Sequence, residues 1–255
     1  MNYNNLLGSK LAKYFNKKYG IITYSGTLAI EVALKSLRLK RKSKVLISSN
    51  VCYSIINTVL KLGLVPVIKT PNNGLFLTND DIDVVIDKEI IDCILLVHQF
   101  GILNNISKRK YKKLNIKIIE DVAQAWNLKD NNGINNIGID SDIVVTSFGS
   151  TKPISYGIGG GLFFDNEKIF KEIDFCDNES REKQGIILSY AYPLCKEIKL
   201  DYLLEKANEI VDEQRLCARE YSNVLLNQKT IKYINYEQNS GNVWHRFPMW
   251  IENQK

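Results

Sequence analysis

Between about residue 20 and residue 165, the chain alternates short apolar runs with amphipathic stretches. This alternation is typical of βαβ units, in which a helix connects two parallel strands. Most of the runs are apolar throughout, as expected for strands that are buried on both faces of a sheet. The pattern therefore predicts a layered α/β fold with a mostly parallel sheet. The predicted strands are Lys44–Ser48, Val65–Lys69, Cys93–Gln99, Lys117–Glu120, Ile143–Phe148 and Gly160–Phe164.

Helices are predicted where apolar residues recur at helical spacing, as they do in Leu28–Leu37 and Val51–Leu62. After residue 165 the pattern changes, and Asp201–Leu226 is predicted to form one long amphipathic helix. Two further strands are predicted at Lys232–Tyr236 and Val243–Ile251. We therefore expect a second, smaller α/β unit that begins near residue 165.

The composition is that of an ordinary globular protein, with 45% hydrophobic and 24% charged residues. No apolar stretch approaches the roughly 20 residues that cross a bilayer. The first residues lack the apolar core of a secretory signal, so a cytoplasmic protein is expected. Five scattered cysteines without a C-x-x-C pair predict neither a disulfide framework nor a zinc site, and no metal is expected.

The net charge of +6 includes two basic runs, Arg38–Lys44 and Lys108–Lys113. Such runs can indicate nucleic-acid binding. A solvated helix face or a loop is favoured here, because each run directly precedes an apolar strand, where a connection is expected. We therefore expect no nucleic-acid partner.

Two of the predicted strands lead into residues that are suited to binding a ligand. The stretch Ser25-Gly26-Thr27 joins a strand to a helix, where backbone N–H groups and the helix dipole attract an anion. An ordinary helix cap explains the same stretch. Further on, Glu120-Asp121 ends a strand and Gln124 follows, so Asp121 lies at the edge where α/β proteins bind ligands. An N-cap role for Asp121 is equally consistent with the segment alone.

A lysine follows another predicted core strand. Lys152 lies among Ser147, Ser150 and Thr151 and precedes a glycine cluster at residues 157–161. A lysine among small hydroxyl residues between two core strands is suited to attack a carbonyl carbon. The alternative is a phosphate-binding lysine of the P-loop type, but P-loop glycines come before the lysine rather than after it.

Together, these segments match what pyridoxal phosphate requires from a protein. The cofactor needs a Schiff-base lysine, a carboxylate against its pyridine nitrogen and a cradle for its phosphate. Each segment is a weak signal alone, whereas the three together are much more specific.

The chain also resembles the DegT/DnrJ/EryC1/StrS family of sugar aminotransferases, which have the fold of type I pyridoxal phosphate enzymes. The resemblance covers roughly residues 5–165 and continues more weakly through the long helix. It implies a three-layer large domain at residues 1–165 and the start of a small α/β domain at residues 166–255. The matching blocks are YSGTLAIEVAL, NVCYSIINTVLKLGLVPV, LLVHQFG, IIEDVAQAWN and DIVVTSFGSTKPISYGIGGGLFF.

The resemblance implies a role for each matched residue. Lys152 would bind the cofactor covalently and then act as the base that moves the proton. Asp121 would pair with the pyridinium nitrogen, Gln124 would lie beside the ring oxygen, and Gly26, Thr27 and Ser147 would hold the phosphate. Where the family stacks a bulky side chain on the ring, this chain has Cys52 and Tyr53, and His98 is either a substrate contact or a structural histidine.

The resemblance further implies transamination of a nucleotide-linked keto-sugar, with glutamate as the expected donor, by a homodimer. Two features depart from the family. Gly185–Ile198 lacks the asparagine that the second subunit usually supplies, although Tyr190 and Tyr192 offer hydroxyl groups, and the C-terminal domain is short. A fragment, a truncated gene or cover by another subunit would each explain the length. A sugar dehydratase is disfavoured because Lys152 is present, and a non-catalytic homologue that binds the cofactor or a partner is the main alternative.

Overall fold

The computed structural model describes residues 3–130, 132–155, 157–169, 200–228, 230–237 and 241–251. Within these residues the helices and strands alternate as far as the fifth strand, and β6 and β7 follow it without an intervening helix. The helices are α1 (Tyr3–Tyr14), α2 (Gly26–Ser36), α3 (Tyr53–Lys61), α4 (Asn79–Ile86), α5 (Lys108–Lys113) and α6 (Leu200–Leu225), with a 3-10 turn at Gln99–Gly101. The strands are β1 (Tyr19–Thr23), β2 (Lys44–Ser48), β3 (Val65–Lys69), β4 (Cys93–Val97), β5 (Lys117–Asp121), β6 (Ile143–Ser147), β7 (Gly160–Phe164), β8 (Ile231–Tyr233) and β9 (Met249–Ile251).

A seven-stranded sheet forms the centre of the fold, in the order β1-β7-β6-β5-β4-β2-β3. Strands β2 to β6 pair in parallel, whereas β7 runs antiparallel to both of its neighbours, β1 and β6. The prediction of an α/β fold with a mostly parallel sheet is therefore confirmed.

Successive side chains of each strand point to opposite faces of the sheet. Both faces are covered by helices and their apolar residues. On β4, Cys93 and Leu95 pack with the apolar residues of α2 and α3, including Ala33 and Val59. The alternate residues of β4 belong to a second core cluster, which includes Tyr111 of α5 and the buried side of α4. The sheet is thus the middle layer of three.

Most predicted elements form close to their expected bounds. Strands β2, β3 and β7 match the prediction, and α6 is displaced by one residue from the predicted Asp201–Leu226. The basic run Lys108–Lys113 forms α5, where Lys108 pairs with Glu120 and Lys110 pairs with Asp83. No helix in the described part of the chain is long and apolar enough to cross a membrane.

The C-terminal strand was predicted too long. The prediction extended it over Val243–Ile251, but only Met249–Ile251 is a strand, and it pairs antiparallel with β8. Residues before it are not extended, since Trp244 has a φ of 59°. Their backbone groups bind the loop after β4 instead, as when the Val243 N–H donates to the carbonyl of Gly101.

Candidate active site

A cleft of about 230 Å³ lies at the carboxyl ends of β4, β5 and β6, beside the N-termini of α2 and α3. In open α/β sheets this edge is the usual position of ligand sites, because the loops that follow parallel strands meet there. Most of the site residues predicted from sequence line this cleft. They are Gly26, Thr27, Cys52, His98, Asp121, Gln124, Ser147 and Lys152.

Helix α2 directs its N-terminus toward the cleft. Ser25 caps the helix in extended conformation, and its hydroxyl oxygen accepts a hydrogen bond from the Leu28 N–H at 3.2 Å. A Cβ at Gly26 would lie 2.8 Å from the Cβ of Ser147, so only glycine allows α2 to approach the end of β6 this closely. The first turn carries no acidic residue. The free N–H groups and the positive end of the helix dipole therefore offer an anion site beside a serine hydroxyl.

Asp121 ends β5 and is the buried carboxylate of the cleft. Burial raises the pKa of this carboxyl group, while the hydrogen bond from the Ala123 N–H and the ammonium group of Lys152 oppose the rise. The Ala123 N–H lies 2.9 Å from Oδ1. A buried carboxylate with a raised pKa is stabilised by a cationic ligand, and a protonated pyridine nitrogen is such a group.

Lys152 lies in the loop after β6 and is half-buried. Its backbone N–H donates to the carbonyl of Gly149 at 3.0 Å, which closes a tight turn after the strand. The turn places the ammonium group near enough to Asp121 to affect the pKa of that carboxyl group. The structure thus brings together the lysine, the carboxylate and the helix N-terminus that lie in separate segments of the sequence.

Gln124 reaches the cleft from the loop after β5, and its side-chain amide has a defined orientation. Its Oε1 accepts a hydrogen bond from the Phe100 N–H at 2.9 Å. The amide nitrogen therefore remains as a donor for a ligand.

Cys52 caps the N-terminus of α3, and Tyr53 is the first residue of that helix. Cys52 lines the cleft, and a hydrogen bond from the Ser54 hydroxyl lowers the pKa of its thiol, with the charge of Lys152 adding to the effect. Tyr53 is 73% exposed and lies outside the residues that line the cleft. A ring-stacking role for Tyr53 stays a prediction, and the side chain next to the cleft is the thiol.

His98 follows β4 and is only 2% exposed. Its Nδ1 accepts a hydrogen bond from the Asn104 N–H at 3.1 Å, so the ring proton lies on Nε2, which has no hydrogen-bond partner among the described residues. Burial, together with the ammonium charge of Lys108, lowers the pKa of His98 to about 3. The bond to Asn104 favours a structural role, and substrate contact stays a prediction.

No site role was predicted for the residues near the C-terminal end. His245 is partly buried, and burial lowers its pKa to about 4, with contributions from the charges of Lys152 and Arg246. This part of the chain therefore lies close to the cleft. The signal in the sequence was a histidine and an arginine within the otherwise apolar stretch VWHRFPMWI.

A sequence model of the DegT/DnrJ/EryC1/StrS aminotransferase family matches residues 2–255. The chain belongs to this family. The resemblance predicted from the five sequence blocks is thereby confirmed, and so is pyridoxal phosphate as the cofactor of the family.

Curated relatives of the DegT/DnrJ/EryC1/StrS family are similar at low identity. One is the 3-oxo-glucose-6-phosphate:glutamate aminotransferase of Bacillus subtilis, which is 25% identical over 96% of this chain and 56% of its own length. Another is the GDP-perosamine synthase of Vibrio cholerae, which is 23% identical over 85% of this chain and 61% of its own length. The chain thus spans about three fifths of the length of these relatives.

Solved structures confirm the fold. NtdA of Bacillus subtilis, solved with its cofactor PMP bound, has a TM-score of 0.78 and 24% identity, and the match covers 99% of this chain and 59% of NtdA. TlmJ, an aminotransferase of Streptoalloteichus hindustanus, has a TM-score of 0.81 and 15% identity over 99% of this chain and 71% of its own length. The three-layer arrangement is therefore that of type I pyridoxal phosphate enzymes.

The donor set of the cleft fits pyridoxal phosphate. The cofactor has an anionic phosphate, a basic ring nitrogen, a ring oxygen and an aldehyde. The helix N-terminus with Ser147, the buried Asp121, the amide nitrogen of Gln124 and the amine of Lys152 offer a complementary group to each. Tyr190 and Tyr192, the hydroxyl-bearing residues of the segment that lacks the second subunit's asparagine, lie outside the described residues.

Proposed function

We propose that this chain is a pyridoxal-phosphate-dependent aminotransferase that transfers an amino group from glutamate to the keto group of a nucleotide-linked sugar. The observation that carries this proposal is the convergence of Lys152, Asp121 and the N-terminus of α2 in one cleft. Membership of the DegT/DnrJ/EryC1/StrS family supports the reaction class.

The side chains of the cleft would divide the work by their chemistry. Asp121 would hold a proton on the ring nitrogen, because a buried carboxylate is stabilised by a cation beside it. The N–H groups at Gly26 and Thr27, with the hydroxyl of Ser147, would bind the phosphate. Gln124 would donate from its amide nitrogen to the ring oxygen.

Lys152 would hold the cofactor covalently and, once released, accept and return a proton at its Nζ. When bound, pyridoxal phosphate supplies an aldehyde that takes up the amine and a ring that draws electrons from the neighbouring bonds. Over a complete cycle, the amine of glutamate and the carbonyl of the sugar are exchanged, so no oxidant or reductant is consumed.

The relatives support a sugar substrate and a glutamate donor. The Bacillus subtilis enzyme is named for an oxo-glucose phosphate and for glutamate, and the Vibrio cholerae enzyme is a GDP-perosamine synthase. Both sugars carry phosphate groups. The net charge of +6 on this chain favours the approach of such anionic substrates.

We also propose a large domain at residues 1–165, a small domain from residue 166, and a homodimer. The end of β7 at Phe164 completes the seven-stranded sheet, which supports the boundary.

Leu204 and Val211 of α6 pack in one cluster with Phe15 of the large domain, so the long helix lies against the sheet domain. Sedimentation velocity tests the assembly, since a monomer at micromolar concentration would contradict the homodimer.

The enzyme assignment is tested by adding pyridoxal phosphate to the purified protein. We expect the visible absorbance band of lysine-bound cofactor, and after borohydride reduction we expect the cofactor mass on the peptide that contains Lys152. Lys152→Ala should lose both signals, while Lys61→Ala is the control, because Lys61 is exposed and pairs with Glu31 on α2.

Glutamate separates a transaminase from a protein that only binds the cofactor. Adding glutamate to the loaded protein should remove the band and release 2-oxoglutarate. A stable band would indicate a non-catalytic homologue. Equal spectra for wild type and Lys152→Ala, with no covalent adduct in either, would contradict the enzyme assignment altogether.

A further inference from the structure

A short segment near the C-terminal end lies across the loop that follows β4. We call residues 241–246 the strap. The Val243 N–H donates to the carbonyl of Gly101 at 2.8 Å, and the Arg246 N–H donates to the carbonyl of Phe100 at 3.3 Å. A Cβ at Gly101 would lie 2.8 Å from the Cβ of Val243, so the two backbones are in close contact. The strap therefore holds the loop that follows β4.

The strap also binds the loop after β5. The carbonyl of Gly241 accepts a hydrogen bond from the Lys129 N–H at 3.0 Å. Asn242 is buried, and its Oδ1 accepts a hydrogen bond from the Leu103 N–H at 3.0 Å. One segment thus joins the two loops whose strands, β4 and β5, end at the cleft.

Arg215 of α6 attaches the strap to the rest of the protein. Its Nε donates to the carbonyl of Asn242 at 3.0 Å, and its Nη2 donates to the carbonyls of Gly241 and Asn127, both at 3.1 Å. Its Nη1 pairs with Asp212 at 3.2 Å on the same helix. A guanidinium group presents several donors in a rigid plane, and bonds from a charged donor are stronger than neutral ones. A single side chain therefore connects the long helix, the strap and the β5 loop.

The loop held by the strap sets the orientation of Gln124. Phe100 has a φ of 61°, a left-handed conformation that is uncommon for a residue other than glycine and persists only where neighbouring contacts maintain it. The strap binds the carbonyl of Phe100, and the N–H of Phe100 binds Oε1 of Gln124. Phe100 is therefore the link between the strap and the cleft.

We infer that Arg215 is a positioning residue, which holds the strap on the loops after β4 and β5 and so keeps the Gln124 amide nitrogen turned toward the cofactor. The inference rests on the proposed function for its ligand, pyridoxal phosphate. The hydrogen-bonded connection from Arg215 to Gln124 is a property of the protein alone.

The substitution Arg215→Gln removes the charged donors, and Arg219→Gln is the matched control one turn further along α6. Arg219 is half-exposed and pairs only with the adjacent Glu220 among the described residues. In the protein without cofactor, we expect amide hydrogen exchange at Leu103, Lys129 and Val243 to become about tenfold faster in Arg215→Gln. The control should not change it. If Arg215→Gln does not fold, Arg215→Lys, which keeps the charge but loses the planar set of donors, takes its place.

Cofactor binding measures whether the connection reaches Gln124. We expect Arg215→Gln to raise the dissociation constant for pyridoxal phosphate about tenfold, as for the loss of one charge-assisted hydrogen bond. In a Gln124→Ala background the same substitution should change it less than about twofold, because residues that act through one contact are not additive. The absorbance maximum of the bound cofactor should shift in Arg215→Gln and in Gln124→Ala alike.

Additive effects of Arg215→Gln and Gln124→Ala would overturn the inference, because a general loss of stability acts independently of Gln124. Unchanged exchange at the three amides would overturn it as well. If wild-type protein binds no pyridoxal phosphate, the proposed function fails, and the exchange experiment then decides alone whether Arg215 holds the loops.

Discussion

Replacing His98 with asparagine tests whether the buried imidazole ring is uncharged in the native protein. The Nδ1 of His98 accepts a hydrogen bond from the Asn104 N–H, and burial keeps the ring uncharged. Asparagine is neutral at every pH, and its amide oxygen lies at the same distance along the side chain as Nδ1. The substitution therefore keeps the acceptor and removes the titrating group.

The size of the effect follows from the pKa of the ring in the two states. An unfolded histidine has a pKa of about 6.5, whereas His98 in the native protein has a pKa of about 3. Between these values the unfolded chain binds a proton that the native chain does not, so stability is complete above pH 6.5 and falls as the pH falls. Lowering the pH from 7 to 5 should therefore remove about 2 kcal/mol of the free energy of unfolding through His98.

Urea unfolding followed by tryptophan fluorescence measures this free energy at each pH. His98→Asn should lose about 2 kcal/mol less than wild type between pH 7 and pH 5. His245, the other histidine of the chain, has a pKa lowered to about 4 and contributes to the slope that remains. His245→Asn is therefore the second arm of the measurement. Parallel curves for wild type and His98→Asn would refute the reasoning, because they would show that the ring is charged in the native protein.

Further predictions concern the cleft. Asp121→Asn should reduce turnover of the loaded protein by roughly 100-fold and shift the cofactor absorbance. The control Glu120→Gln, which disrupts the ion pair with Lys108, should lower stability without a spectral shift. Equal cofactor spectra for Asp121→Asn and wild type would contradict the role of Asp121. Gly26→Ala should cost about 1–3 kcal/mol in urea unfolding and weaken cofactor binding, since its Cβ has no room against the facing serine; unaltered binding would contradict the close approach. In mass-spectrometric mapping with iodoacetamide, Cys52 should react rapidly and be protected by pyridoxal phosphate, while Cys93, whose thiol is buried and has a raised pKa, should stay unmodified. Modification of Cys52 at the same rate with cofactor present would place it away from the ligand.

Most of the sheet could be predicted from the sequence, because a strand buried on both faces is apolar throughout its length. Strands β2 and β7 match their predicted bounds for this reason, whereas β3 matches its bounds although it is a partly exposed edge strand. The pattern alone could not show that β7 runs antiparallel between β1 and β6, because strand direction depends on the connections around the sheet. The strand at Val243–Ile251 was predicted too long. The first residues of this apolar run form hydrogen bonds with the loop after β4 instead of with a neighbouring strand, and the sequence pattern does not distinguish the two cases.

The features of the site also divide into those that the sequence could predict and those that it could not. Lys152, Asp121 and Gly26 could be chosen from sequence, because each residue type lies beside a predicted strand in a local pattern with a chemical meaning. No local pattern indicates the partner of His98, the exposure of Tyr53 or the carbonyl groups that Arg215 binds, since these are contacts between distant segments.

The sequence by itself thus determined the family, the layered sheet and the residues with chemistry suited to pyridoxal phosphate. Periodicity and short motifs depend on neighbours along the chain, and these are visible in one dimension. The tertiary structure alone decided that Cys52 rather than Tyr53 borders the cleft, that Phe100 orients the Gln124 amide, and that a strap held by Arg215 lies over both loops. These features depend on distances between segments far apart in the chain, which only folding brings together.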